Sequence, residues 1–157
     1  MLETCSRVSE AVDALCRIPV ALSQNVTVLD KTGPYATVLL APDRAASVSH
    51  TPVCTNHQAA PDSAALTAPL SNSIERQSAA LRALETPGVS LGQLQQTFLR
   101  APLYSRNARS PTVYSAVYRP LELTVDYLWP GHTITQRIGS FTPFEYVQDY
   151  GELEVSV

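Results

Sequence analysis

The chain has 157 residues, of which 45% are hydrophobic, so it can bury the core of one domain of ordinary size. Its formal net charge of −3, with acidic and basic residues interspersed, gives no basic surface for nucleic acid or for an anionic membrane. No segment reaches the roughly 18 apolar residues of a membrane helix. Length, charge and this absence together lead us to expect a single domain over residues 1–157 without nucleic-acid or membrane partners.

The first half of the chain predicts one helix followed by three strands. Ser6 can cap a short helix that Pro19 closes, because proline disfavours helix at the residue before it. Residues 26–29 and 35–40 form a hairpin pattern around a turn that contains glycine. A third strand is expected from about 47 to 55.

The middle of the chain predicts a loop and two helices. Residues 59–70 are rich in Ala, Pro, Ser and Asp, which indicates a surface loop. Asn72-x-x-Glu75 and Ser90-x-x-Gln93 both have the form of a capping box, which marks the start of a helix. Apolar residues then recur at helical spacing on one face of each helix: Ile74, Leu81 and Leu84, then Leu91, Leu94 and Phe98.

The last part of the chain returns to strands. Residues 113–118 and 121–129 alternate strictly, with a turn at Arg119-Pro120, and a last strand is expected at 153–157. His132 is interpreted as a solvated loop histidine. The order of helix, three strands, two helices and further strands predicts an α+β layered fold with a largely antiparallel sheet.

The cysteines give little support for catalysis or metal binding. Cys5, Cys16 and Cys54 are widely spaced, which fits a reducing, cytoplasmic compartment and neither a disulfide framework nor a zinc ribbon. Cys54 stands three residues before His57 and could act as a thiol nucleophile, but the preferred interpretation is a small hydrophobic residue at the end of a buried strand. A zinc site built from Cys54, His57 and His50 would have unusual spacing and no fourth ligand.

Asn56 and Arg76 are the two candidate site residues. The Asn56 amide, in PVCTNHQ at a strand's end, could donate to the oxyanion of a tetrahedral intermediate, whereas the simpler alternative is a local turn with its own backbone. Arg76 lies near the start of a helix, where the dipole favours acids, so it is either a surface arginine or a side chain with a task outside the helix.

Several segments together resemble a known family. These are LETC, DALCRIPVALSQNVTVLDKTGPYATVLL, VCTNHQ, NSIERQSAALRALE, SLGQLQQTF and TVYSAVYRPLELTVDYLWPG, which span residues 2–131. Their order and spacing resemble the C-terminal half of the acyl-coenzyme A:6-aminopenicillanic-acid acyltransferase-like family. These proteins are N-terminal-nucleophile (Ntn) hydrolases related to penicillin V acylase and bile salt hydrolase.

The resemblance implies a mechanism and an incomplete site. In that superfamily an N-terminal cysteine attacks an amide or thioester carbonyl, with its own α-amino group as the base. The resemblance assigns Asn56 to the oxyanion hole and Arg76 to the lining of the site. The nucleophilic cysteine and about half of the four-layer αββα sandwich would lie upstream of Met1, so we expect the chain to be a C-terminal portion that is inactive alone.

The resulting hypothesis is the C-terminal part of a cysteine Ntn-type amide hydrolase or acyltransferase. It needs no cofactor and no metal, and its partners are a small amide or acyl-thioester substrate and the N-terminal half of the same protein. The alternative is a non-catalytic remnant or an acyl-pocket binding module that associates with a separate N-terminal part. Both hypotheses predict an exposed apolar sheet face, which also allows a homo-oligomer.

Overall fold

The computed structural model describes residues 3–58, 72–108 and 110–151. Its helices and strands are, in chain order within each class, α1 (Val8–Leu15), α2 (Ser73–Leu84), α3 (Leu91–Phe98), β1 (Gln24–Leu29), β2 (Tyr35–Ala41), β3 (Arg44–Ser49), β4 (Ser115–Arg119), β5 (Thr124–Trp129) and β6 (His132–Arg137). Strands β1, β2 and β3 form one antiparallel sheet in that order, and β4, β5 and β6 form another. The predicted α+β class with antiparallel pairing is therefore confirmed.

The chain divides into two compact units, Met1–Gln77 and Ser78–Val157, and each is described by itself. The single domain over residues 1–157 stays a prediction. The predicted loop at 59–70 and the predicted strand at 153–157 lie outside the described residues. Within the described ranges no helix is both long enough and apolar enough to cross a membrane.

The β1–β2 hairpin forms where the sequence predicts it. The two strands pair antiparallel, with Val26 opposite Val38 and Thr27 opposite Thr37. The hydroxyls of Thr27 and Thr37 lie 2.8 Å apart and form a cross-strand hydrogen bond. Gly33 has φ +109°, a left-handed conformation that glycine adopts without steric strain, and this explains the glycine in the turn.

The core of the first unit lies between α1 and one face of this hairpin. Val38 is fully buried, and it packs with Leu15 of α1 and Leu40 of β2. Val12 and Val26 pack against this cluster from the helix and from β1. Because side chains alternate along a strand, the residues next to Val26 on β1 and next to Val38 on β2 point to the opposite face of the sheet.

Helix α1 begins one residue later than predicted. Arg7, with extended backbone, is the residue before the first turn, and Ser6 precedes it. The Glu10 carboxylate accepts hydrogen bonds from the Ser6 amide at 2.8 Å, the Ser6 hydroxyl at 3.2 Å and the Arg7 amide at 3.2 Å. These bonds, the one from the Ser6 amide first, lower the pKa of Glu10. The carboxylate, and not the serine hydroxyl, therefore satisfies the amides at the start of this helix.

Strand β3 begins and ends earlier than the predicted strand at 47–55. It covers Arg44–Ser49 and pairs with β2. After it the Thr51 amide donates to the Ser49 hydroxyl at 3.2 Å, which turns the chain, and Pro52 has no amide proton with which to extend the ladder. The segment that carries Asn56 is therefore irregular, and the placement of Asn56 at a strand's end was wrong.

Helix α2 does not bury the apolar face that its sequence predicts. Ile74 and Leu84 are 49% and 40% exposed. The buried residues on this helix are Ser73 and Ala80, which lie two turns apart on another face. Small side chains are thus the buried ones on this helix, whereas Ile74 and Leu84 stay exposed.

Helix α3 has the predicted start but not the predicted packing. The Ser90 amide donates to the Gln93 side chain at 2.8 Å, and the Gln93 amide donates to the Ser90 hydroxyl at 3.3 Å, so the capping box is confirmed. Leu91 and Phe98 are nevertheless exposed. Local capping fixed where the helix begins, while the described residues leave Leu91 and Phe98 uncovered and cover Leu94 only partly.

In the second unit the hairpin turn occupies residues 120–123, where the sequence predicts that a strand has already begun at 121. Val117 of β4 lies opposite Asp126 of β5. Leu121 and Leu123 are exposed in the turn, and Leu123 has φ +53°. Their apolar spacing imitates a strand, but the left-handed residue reverses the chain before β5 starts.

Strand β6 was not predicted. It follows the turn at Pro130-Gly131, so that His132 lies opposite Trp129. The His132 ring stacks on Tyr146 with a centroid distance of 4.4 Å and an interplanar angle of 6°. His132 is exposed, as expected, but it begins a strand, so its interpretation as a loop residue was wrong. The Pro-Gly turn between alternating residues was the signal for this hairpin.

Asp126 connects all three strands of this sheet. It lies on β5 and is buried. Its carboxylate accepts a hydrogen bond from the Arg119 guanidinium on β4, and another from the Thr135 hydroxyl on β6 at 2.7 Å. Each oxygen of the carboxylate thus has a donor on a different neighbouring strand.

Candidate functional site

Asn56 lies in the irregular segment that follows β3. Asn56 and Cys54 are exposed, whereas Gln58 at the end of the same segment is buried. Among the described residues, neither the side chain nor the backbone of Asn56 forms a hydrogen bond. The alternative in which this amide makes a local turn with its own backbone is not what the structure contains. The Nδ2 donors of Asn56 are open to an outside acceptor.

The backbone on both sides of Asn56 is held by Asn25. Asn25 Nδ2 donates to the carbonyl of Thr55 at 2.7 Å and to the carbonyl of His57 at 3.0 Å. Asn25 belongs to β1, opposite Leu39, and it points away from the face that carries Val26. A rigid strand therefore fixes the two peptide groups that flank the candidate oxyanion donor.

Gln58 fixes the end of the same segment. Its Nε2 lies 2.9 Å from the carbonyl of Leu40, 2.8 Å from Asn25 Oδ1 and 3.2 Å from the carbonyl of Gln24. The Arg44 guanidinium donates to Gln58 Oε1. Gln24 and Leu40 pair at the open end of the β1–β2 hairpin, so Gln58 closes that end with its amide.

Sequence reasoning did not single out Asn25 or Gln58. Gln58 is the last letter of PVCTNHQ, and Asn25 stands directly before the predicted strand at 26–29, so a polar amide at each position was the available signal. The contacts join residues 14 to 34 positions apart, and local patterns carry no information at such separations.

The thiol and metal alternatives receive no support from the geometry. Cys54 is exposed and lies outside any strand, so its interpretation as packing at a buried strand end was wrong. Its sulfur lies 3.8 Å from the Thr55 carbonyl, while His57 Nδ1 is bonded to the Thr55 hydroxyl at 2.9 Å. His50 Nδ1 lies 3.2 Å from the carbonyl of Tyr35. In the described part of the chain no hydrogen bond joins Cys54 to His57, and no group of three potential ligands could hold a metal.

Arg76 lies in the first turn of α2 and is half-buried. Its backbone amide donates to the carbonyl of Asn72 at 2.9 Å. Asn72 itself has φ +46°, so the chain enters the helix through a left-handed residue. No hydrogen bond among the described residues joins Arg76 to Asn56.

An open groove of about 870 Å³ lies at the other end of the hairpin. It is lined by the start of α1, by the turn at 30–34 and by His50, and it does not include Asn56. The Asp30 carboxylate at its edge accepts bonds from the Thr32 hydroxyl at 2.6 Å and the Thr32 amide at 2.8 Å. These bonds lower the pKa of Asp30.

Comparison with known proteins gives a family but no individual relative. A search of curated proteins and a search of solved structures found no match to the chain. A family model described as "Acyl-coenzyme A:6-aminopenicillanic acid acyl-transferase" matches residues 1–133, and this range includes both Asn56 and Arg76. The match covers most of the 157 residues, so the chain belongs to the acyl-coenzyme A:6-aminopenicillanic acid acyl-transferase family.

Proposed function

We propose that this chain supplies the oxyanion-stabilising part of a cysteine Ntn-type amide hydrolase or acyltransferase that works through an acyl-enzyme. Membership of the family supports the reaction class. The observation that carries the proposal is the exposed amide of Asn56, which has no partner among the described residues although the peptides on both sides of it are fixed.

In the proposed reaction the nucleophile is a cysteine thiol at the N-terminus of the processed protein, upstream of Met1. Its own α-amino group, with a pKa of about 8, takes the thiol proton. The sulfur attacks the carbonyl carbon of an amide or acyl thioester, and the carbonyl electron pair moves onto the oxygen. The bond to the leaving amine or thiol then breaks, the leaving group takes the proton, and water or an acceptor amine accepts the acyl group from the enzyme.

Asn56 acts at the moment when charge develops on the carbonyl oxygen. A fixed amide donor aimed at that position costs no reorganisation during the reaction, and removal of one such donor slows turnover by about 10²–10³-fold, or roughly 3–4 kcal/mol. Arg76 is proposed to line the same site, where its guanidinium would orient the substrate. We propose a segment N-terminal to this chain as the partner that completes the site.

The test uses the complete protein that carries this chain, with an acyl-coenzyme A and 6-aminopenicillanic acid as probes. Release of the coenzyme thiol is followed with a thiol-reactive dye, in the presence and in the absence of the acceptor amine. Asn56→Ala should lower kcat by about 10²–10³-fold with little change in KM or thermal stability. An unchanged kcat would exclude the oxyanion role.

Cys54→Ala is the matched control, because Cys54 is two residues away and is also exposed. It should leave turnover and stability as they are. Loss of activity in a folded Cys54→Ala protein would instead show that the thiol takes part in the chemistry.

A further inference from the structure

The side chain of Asn25 is committed entirely to the segment around Asn56. A side-chain amide has two N–H donors and one oxygen acceptor. Both donors of Asn25 are used, on the carbonyls of Thr55 and His57. Its oxygen accepts from Gln58 Nε2 at 2.8 Å. All three contacts therefore end on a stretch of four residues, with Asn56 in the middle.

The support behind Asn25 is rigid on the strand side and buried on the segment side. Asn25 lies on β1, whose neighbour β2 carries the fully buried Val38. Gln58 is only 5% exposed, and its amide also reaches the backbone carbonyl of Leu40. The segment is thus fixed to the sheet at the carbonyls of Thr55 and His57 and at the Gln58 side chain. It cannot slide without breaking these hydrogen bonds, each of which stabilises by about 1 kcal/mol net.

We infer that Asn25 is a positioning residue, which holds the Asn56 amide where the oxyanion forms. This inference rests on the proposed function. Electrostatic stabilisation of an oxyanion depends on the donor being at hydrogen-bond distance from the position that the charge will occupy. Asn25 does not touch the substrate; it fixes the peptides at Thr55 and His57, and through them the direction of the Asn56 side chain.

The test is a double-mutant cycle between Asn25 and Asn56 in the complete protein. Asn25→Ala should lower kcat by about 10–10²-fold when Asn56 is present. In the Asn56→Ala background the same change should lower kcat by less than about twofold, because the donor that it positions is already gone. A purely structural residue would reduce activity by the same factor in both backgrounds, and that result would overturn the inference.

Thr27→Val is the matched control for Asn25→Ala. Thr27 lies two residues along β1 on the same face, and its hydroxyl bonds Thr37 and not the segment. It should leave kcat unchanged while removing one cross-strand hydrogen bond. If Thr27→Val lowers kcat as much as Asn25→Ala does, any substitution on this face of the sheet lowers activity. That result would contradict the positioning role of Asn25.

The variant Asn25→Ser provides a second test of the inference in case Asn25→Ala does not fold. Asn25→Ser retains one donor, so it should fold. Its kcat should lie between that of the wild type and that of Asn56→Ala. In its ¹⁵N spectrum the side-chain amide signal of Asn56 should shift or broaden while the amide signals of β2 stay in place. An unmoved Asn56 signal, or full activity in this variant, would overturn the inference.

The proposed function and this inference fail in different ways. If Asn56→Ala keeps full turnover, the oxyanion role itself is wrong. If Asn56→Ala is slow but Asn25→Ala and Asn25→Ser are both fast, the oxyanion role stands and only the positioning role is lost.

Discussion

The buried carboxylate of Asp126 should provide a measurable share of the stability of the second unit. In Asp126→Asn one oxygen becomes an NH2 group, so one of the two donors, Arg119 or Thr135, loses its acceptor. A hydrogen bond to a charged group contributes about 1.5–3 kcal/mol net. Arg119 is about a quarter exposed and can turn to water, which keeps the loss below that of a fully buried ion pair. We expect a loss of about 2–3 kcal/mol in the free energy of unfolding at pH 7.

The loss should depend on pH in a defined direction. Burial is the largest single influence on the pKa of Asp126 and acts to raise it, but the hydrogen bonds from Thr135 and Arg119 and the Arg119 charge outweigh it, so the pKa is lowered. A carboxyl whose pKa is lower in the folded state stabilises fully above its unfolded pKa of about 3.9. That stability disappears as the pH falls through the lower, folded pKa. The deficit of the variant should therefore be constant from pH 7 to about 5 and shrink in acid.

Urea titrations of the wild type and Asp126→Asn at pH 7, 5 and 3 would measure this difference. Asp43→Asn is the control, because Asp43 is exposed and its one ion pair among the described residues is with its neighbour Arg44. It should change the free energy of unfolding by less than about 0.5 kcal/mol. A deficit below 1 kcal/mol at pH 7, or one of equal size at pH 3, would refute the assignment of this stability to the charged carboxylate.

Two paired substitutions test the core and the first turn. Val38→Ala removes two methyl groups from a fully buried site and should cost about 2 kcal/mol in a urea titration, whereas Val147→Ala at an exposed site should cost less than about 0.5 kcal/mol; equal effects would contradict the burial. Gly33→Ala forces a side chain into φ +109° and should destabilise by about 1 kcal/mol, while Gly92→Ala, in open space within α3, should stabilise by about 0.5–1 kcal/mol. Thermal melts would show whether each glycine variant is more or less stable than the wild type. A stabilising Gly33→Ala would show that this turn is not as described.

The sequence predicts correctly those elements that are determined by contacts between residues close together in the chain. The alternation of residues 26–29 and 35–40, with Gly33 between them, predicts the β1–β2 hairpin because pairing and turn lie within a few residues of each other. The Ser90-x-x-Gln93 capping box predicts the start of α3 for the same reason. In both cases the hydrogen bonds that decide the structure join neighbours in the sequence.

Residues whose environment is tertiary were predicted less well. Leu121 and Leu123 have strand spacing, yet they lie in the turn that lets Arg119 of β4 pair with Thr124 of β5. Ile74 and Leu84 have helical spacing, yet they stay exposed, since an apolar pattern does not say which surface is available to cover it. Asn56 could be proposed as a donor from its motif, but whether its backbone is fixed depends on Asn25, 31 residues earlier in the chain.

The hydrogen bonds between Asn25 and the Asn56 segment also decide what would have to be moved to rebuild this site in another protein. A designer who grafts only Thr55, Asn56, His57 and Gln58 onto a foreign loop transfers the donor without the residue that holds its two flanking carbonyls. The smallest portable unit is the β1–β2 hairpin together with the segment, some 35 residues of continuous chain. A four-letter match elsewhere in a genome therefore says little unless an amide also stands at the corresponding position of a preceding strand.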